Sequence, residues 1–256
     1  MILFIIVFLA TGMGAISGIG GGIIIKPMMD LISDLPAGTI SFLSGCAVLA
    51  MSLVSLVTSH SSDVKIEKKT STILALGAAL GGVAGKELFQ AIQRTLENDR
   101  LVSIVQNGLL LLLVCGVFVY MLCKSRIHTL NATNIALCGG IGLLLGMMGS
   151  FLGIGGGPIN LVVLYYFFSM DTKTAALNSL YIILFSQAAS LLSVLAQARV
   201  PPFDIKVMAE MVAGGVLGGL IGRRISRRIS ATRVEGVFYV LLVVIAGISV
   251  ANLMSG

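Results

Sequence analysis

The sequence has no tryptophan, two histidines, five prolines and only 11% charged residues in a chain of 256. A soluble domain carries about 25% charged residues, so a surface built to face water all round is excluded. No G-x-x-x-x-G-K-[ST] run occurs, and no polar stretch is long enough to hold a nucleotide-binding domain, so an ATP-driven pump within this chain is excluded. His60 and His128 fall in or beside loops, and there is no H-E-x-x-H run. Neither a catalytic triad nor a metal centre is expected, and the chain is read as a non-enzyme. Cys46, Cys115, Cys123 and Cys138 lie in or at the ends of apolar stretches and form no C-x-x-C pair, so they read as small apolar side chains.

What remains is apolar: 57% of residues are hydrophobic and the mean hydropathy is +1.03. That composition is a polytopic membrane protein, with Tyr and Phe alone available for the interfacial belts. The opening MILFIIVFLATGMGA has a signal-like apolar core but no basic start, and reads as the first membrane helix. A spanning helix needs about 20 apolar residues. Eight apolar regions emerge, at about 1–35, 38–59, 70–86, 101–123, 134–170, 173–197, 207–222 and 234–255. Polar linkers at 61–69, 90–100, 124–129, 198–204 and 223–233 separate most of them. The first and fifth regions are too long for one span, and each is interrupted by glycines: GIGGG at 18–22 and again at 153–157. Counting both sides of each interruption gives about ten helices.

The interruptions belong to an internal duplication. A shift of 135 residues places Gly14, Gly18, Gly20, Gly21 and Gly22 on Gly149, Gly153, Gly155, Gly156 and Gly157, and Thr39, Ser44 and Ser55 on Thr174, Ser179 and Ser190. A shift of 137 places GGVAGK (81–86) on GGLIGR (218–223). The repeats are assigned to 1–126 and 127–256.

Basic residues then vote on orientation. If each glycine cluster is the tip of a hairpin, the cytoplasmic side carries Lys65, Lys68, Lys69, Lys124, Arg126, Lys173, Arg223, Arg224, Arg227, Arg228 and Arg233, against Lys86, Arg94, Arg100, Arg199 and Lys206 outside. If the chain crosses once at each cluster, the bias nearly vanishes. The positive-inside rule favours the hairpin. Each half then crosses an odd number of times, the repeats are inverted, and both termini are extracytoplasmic. The fold expected is an all-α polytopic membrane protein of two inverted repeats, each a glycine-broken helical hairpin plus three spanning helices.

Irregular backbone at membrane depth survives only inside protein or along a cavity, and paired broken helices in inverted repeats form transporter binding sites. New helices should begin at Gly22–Ile23 and Gly157–Pro158. Their N-termini carry free N–H groups and about half a positive charge, which suits an anion. Gly18, Gly20, Gly21, Gly22, Gly153, Gly155, Gly156 and Gly157 are therefore candidate substrate-binding positions; the alternative is that they only allow close helix packing. The second and sixth regions add Ser41, Ser44, Asn178, Ser179 and Gln187, which either hydrogen-bond the anion or join helices. Asn178 is preferred for substrate because its amide offers two donors, with Asn160 next. Lys26 either attracts the anion or snorkels to the interface. Glu210 either carries a coupling proton or pairs with Lys206. Lys86 and Arg223 are read as cations at matching helix ends, complementing the dipole.

At these residues the sequence resembles the sulfite exporter TauE/SafE family. The duplicated G-x-G-G-G, the polar set of the second helices and the G-G-x-x-G-[KR] ends of the third carry the resemblance, which spans essentially the whole chain. The second half departs by placing Pro158 directly after its cluster, where the first has Pro27 five residues on, and Leu161 in place of Lys26. The resemblance implies a transporter of small anions, often sulfur-containing ones such as sulfite or sulfonates, in the cytoplasmic membrane. Alternating access is expected; an anion channel filtering at the same helix ends is the alternative. The expected partners are a small anion and the lipid bilayer, with no cofactor and no nucleic acid. A coupling proton and the oligomeric state are left open.

Overall fold

The computed structural model describes residues 2–33, 35–59, 66–96, 99–132 and 134–255. His60 and Lys65 lie outside the described residues. Within them are ten α-helices, one short 3-10 turn at Lys124–Arg126 and no strand. The first five are α1 (Ile2–Ser17), α2 (Gly22–Ile32), α3 (Ala37–Ser59), α4 (Lys68–Leu96) and α5 (Asp99–Cys123). The second five are α6 (Ile135–Phe151), α7 (Pro158–Phe168), α8 (Thr172–Ala196), α9 (Ile205–Arg228) and α10 (Ala231–Ser255). Each set is two short helices followed by three long ones. The six long helices are apolar enough to cross a bilayer. Their outward leucines and valines form an apolar belt: Val57 on α3, Leu80 on α4, Leu112 on α5, Leu192 on α8 and Val243 on α10 are all exposed. So much exposed apolar surface belongs in lipid, and the chain is a multi-pass membrane protein.

Local chemistry fixes the helix starts. Asn134 caps α6 by accepting from the Ala136 and Leu137 amides at 2.9 and 3.4 Å. Asp171 caps α8 and Asp204 caps α9 in the same way. Pro158 occupies the first turn of α7, where its missing N–H costs nothing.

The packing repeats between the halves. α1 lies along α9, and its counterpart α6 lies along α4; α3 packs on α9, and α8 on α4. α3 meets α8, and α5 meets α10, across the centre. Small residues every fourth position make the closest pairs: Gly77, Gly81 and Gly85 face the α6 backbone at Gly139, Leu143 and Met147. Gly214, Gly218 and Gly222 face α1 in the equivalent way. A Cβ at Gly81 would overlap the Leu143 carbonyl, so the two helices touch backbone to backbone. Gly81→Val should therefore cost about 3 kcal/mol and lower the thermal unfolding midpoint in detergent sharply, whereas Gly108→Ala, with open space around it, should not.

Two sequence expectations are corrected here. The polar stretch 90–100 is not wholly a linker, because α4 continues to Leu96, and α9 likewise runs on to Arg228. Lys86 therefore sits well inside α4, and Arg223 stands ahead of the last turn of α9, which holds Arg227 and Arg228. Dipole complementation fades beyond the last turn, so it does not account for Lys86.

Candidate functional site

The two interruptions are built alike. Gly18, Gly20, Gly153, Gly155, Gly156 and Gly157 all have positive φ, between 68° and 133°. L-residues pay about 1–2 kcal/mol each in that region. The amides of Gly18 and Gly20 donate to the Gly14 carbonyl at 2.8 and 3.5 Å, and those of Ile154 and Gly155 donate to the Gly149 carbonyl at 3.1 Å. Each break thus hooks back onto one glycine of the preceding helix. A Cβ on Gly14 would lie 2.6 Å from the Gly20 carbonyl carbon, and one on Gly149 would lie 2.6 Å from the Gly156 nitrogen. The chain leaves one helix at each cluster and enters a new one. α2 then starts at Gly22 and α7 at Pro158, the two positions expected from sequence.

The tips meet each other. A Cβ on Gly22 would overlap the Ile154 carbonyl, and one on Gly157 would approach Ile23 Cδ1 to 3.4 Å. Both tips wedge between α3 and α8. Gly18 abuts Ala176, Gly20 and Gly156 abut Ile183, Gly155 abuts Val48 and the Gln187 amide, and Gly153 abuts the Ser41 hydroxyl. All eight cluster glycines are buried, and none of them lines the cavities described below. Gly21 has an ordinary helical φ of −75°, yet a Cβ there would stand 2.5 Å from Thr11 Cγ2 and 2.8 Å from its Cα. At Gly14 and Gly21 packing alone demands glycine.

Polar side chains around the tips are unsatisfied. The hydroxyls of Ser41, Ser44 and Ser179, and both amide atoms of Asn160, are buried without a hydrogen-bond partner among the described residues. The Asn160 amide nitrogen stands 3.0 Å from where a Gly156 Cβ would be. Ser44 lies between Ser41 and Val48 on the tip-facing stripe of α3, and Ser179 occupies the same place on α8. Leaving a buried polar group unpaired costs about 1–3 kcal/mol, so these four residues are the candidates for contact with a polar ligand.

Other candidates are placed differently. Asn178 is adjacent to Ser179 in sequence but faces the start of α4. Its oxygen accepts from the Glu67 amide at 3.1 Å and from the Ser71 hydroxyl, and its nitrogen donates to the Thr174 carbonyl at 2.7 Å. That is helix joining: it ties α8 to the start of α4. Asn178→Leu, copying Leu43 at the equivalent position, should lower stability by about 1–3 kcal/mol while leaving the apparent KM for transported substrate unchanged. Lys26 does not snorkel, being 2% exposed. Its ammonium pairs with Asp30 at 2.7 Å, and its stem passes 3.2 Å from where a Gly153 Cβ would be. Asp30 also accepts from Asn107 at 3.1 Å, and Asn252 bridges Asn107 to the Pro27 carbonyl. Sequence reasoning missed Asp30; its signal was the i,i+4 spacing from Lys26 on one face of α2. Glu210 is half-buried near the start of α9; the buried carboxylate beside the tips is Asp30.

Backbone amides, hydroxyls, a carboxamide and one buried ammonium gather around the two breaks, donors of the kind that an oxyanion accepts. The family model described as Sulfite exporter TauE/SafE matches residues 3–249. A curated protein of Haemophilus influenzae, described as "Probable membrane transporter protein", is 24% identical over 192 residues, covering 72% of this chain and 68% of its own. No solved structure matches.

Proposed function

The chain belongs to the sulfite exporter TauE/SafE family, and on that premise we propose that it is a secondary carrier for small oxyanions, sulfite and organic sulfonates first among them. The substrate sits between the two hairpin tips. It is held by the amides that open α2 and α7, by the hydroxyls of Ser41, Ser44 and Ser179 and by the Asn160 amide. The observation that carries this is the meeting of two glycine-broken tips beside four buried, unpartnered polar residues. A helix N-terminus favours negative charge without a fixed cation, so the site binds an anion and still releases it.

The halves 1–126 and 127–256 act as inverted repeats, with both termini extracytoplasmic. Reciprocal packing of α1 on α9 and α6 on α4 supports a two-fold relation, and the distribution of basic residues supports the inverted form over the parallel one. The tips are enclosed on every side, so substrate reaches them only when helices move. Enclosure supports alternating access over an open filter.

Flux into proteoliposomes with sulfite, sulfate, thiosulfate, sulfonates and carboxylates tests this. Saturable uptake of an oxyanion with trans-stimulation by the same anion is expected. Repeating the series under a pH gradient reads out proton coupling. Linear, non-saturating flux would establish a channel instead.

A further inference from the structure

Resting on the carrier reading above, we propose that Lys86 forms a second oxyanion subsite, outside the hairpin tips, where substrate docks before passing inward. A cavity of about 230 Å³ opens between the start of α3, the middle of α4 and the α8–α9 connection; Gly38, Phe42, Lys86, Phe89, Val194 and Pro201 are among the residues that line it. Lys86 lines it while being only 7% exposed. A buried ammonium in a membrane protein needs a partner or a purpose. Among the described residues no carboxylate pairs with it. The adjacent Glu87 pairs instead with Arg199, which lines the same cavity, at 3.3 Å, and accepts from Gln197. The contact Lys86 does make is with the Phe89 ring, its ammonium 5.1 Å from the centroid. That contact positions a cation without neutralising it.

The matching residue of the other half behaves oppositely. Arg223 is buried at 2% exposure and donates to the Ser59 hydroxyl and, at 3.5 Å, to Ser226, which donates in turn to the Ile16 carbonyl at 3.1 Å. One member of the pair is satisfied by protein; the other faces a cavity. Lys86 also stands within electrostatic reach of Lys26, whose stem lies on the second tip. Lys26 is already paired with Asp30 at 2.7 Å, so of the two lysines Lys86 is the one whose charge no carboxylate offsets among the described residues. An anion at Lys86 offsets its charge and gains a charge-assisted hydrogen bond.

Initial rates of ³⁵S-sulfite uptake in proteoliposomes test this with Lys86→Met and Lys86→Arg. Lys86→Met should raise the apparent KM at least tenfold with the maximal rate per folded protein changed less than threefold, and Lys86→Arg should stay near the wild-type KM. If Lys86→Met is not monodisperse, Lys86→Gln carries the same expectation. A folded neutral variant with a KM within twofold of wild type overturns the outer subsite and leaves the tip site standing. A wild-type protein that moves none of the oxyanions overturns both.

Discussion

Lys26→Met is expected to leave little folded protein, while Lys26→Met combined with Asp30→Leu is expected to fold and to transport nothing. The two side chains are 2% and 5% exposed and 2.7 Å apart. Removing one partner strands a charge in a low-dielectric interior, which costs about 3–5 kcal/mol, comparable to the whole stability of many proteins. Replacing both with apolar groups is often neutral or stabilising. Asn107, which loses Asp30 in the double variant, keeps its bond to the Ser103 carbonyl at 2.9 Å. Size-exclusion yield therefore reports the ion pair, and flux from the double variant reports the anion. Normal flux from a folded double variant would show that Lys26 serves the fold alone.

Asn160→Leu is expected to make the protein more stable and nearly inactive. Both amide atoms of Asn160 are buried without partners among the described residues, so the empty protein bears their desolvation, about 1–3 kcal/mol. Position 25, its counterpart in the first half, is already Ile, which shows that an apolar side chain of this size fits such a place. A bound oxyanion supplies the missing acceptor for the amide N–H groups. Losing that bond, together with a buried dipole aimed at a charge, should lower flux at low substrate by about 100-fold, in line with about 1.5–3 kcal/mol for a bond to a charged group. A higher unfolding midpoint with flux intact would remove Asn160 from the site.

The breaks were legible in the sequence because glycine runs are expensive inside helices, and counting both sides of each break gives the ten helices. The hydrophobic record was less reliable at the polar helix ends. Residues 90–96 look like a linker by composition, yet α4 continues through them, with Gln90, Ile92 and Gln93 only partly exposed. That error put Lys86 at a helix end and hid its cavity. Side-chain pairing was the least legible part. Asn178 and Asn160 are the same residue type on helices lining one site, but Asn178 finds Ser71 and the Glu67 amide from a distant element, and Asn160 finds nothing. Only tertiary structure decides which amide is spent on the fold. The glycines divide similarly: Gly14 and Gly21 answer to packing, while Gly20, with only the Ile183 methyl at 3.2 Å and one Val48 methyl at 4.0 Å nearby, answers to backbone shape.

The most direct test is a crystal structure with selenite, a heavier analogue of sulfite, located by its anomalous scattering. One selenium peak between the two tips, within hydrogen-bonding distance of the Ser41 hydroxyl, the Asn160 amide and the amides opening α2 or α7, is the predicted result. Selenite that the protein demonstrably transports, but that never occupies the space between the tips, would contradict it.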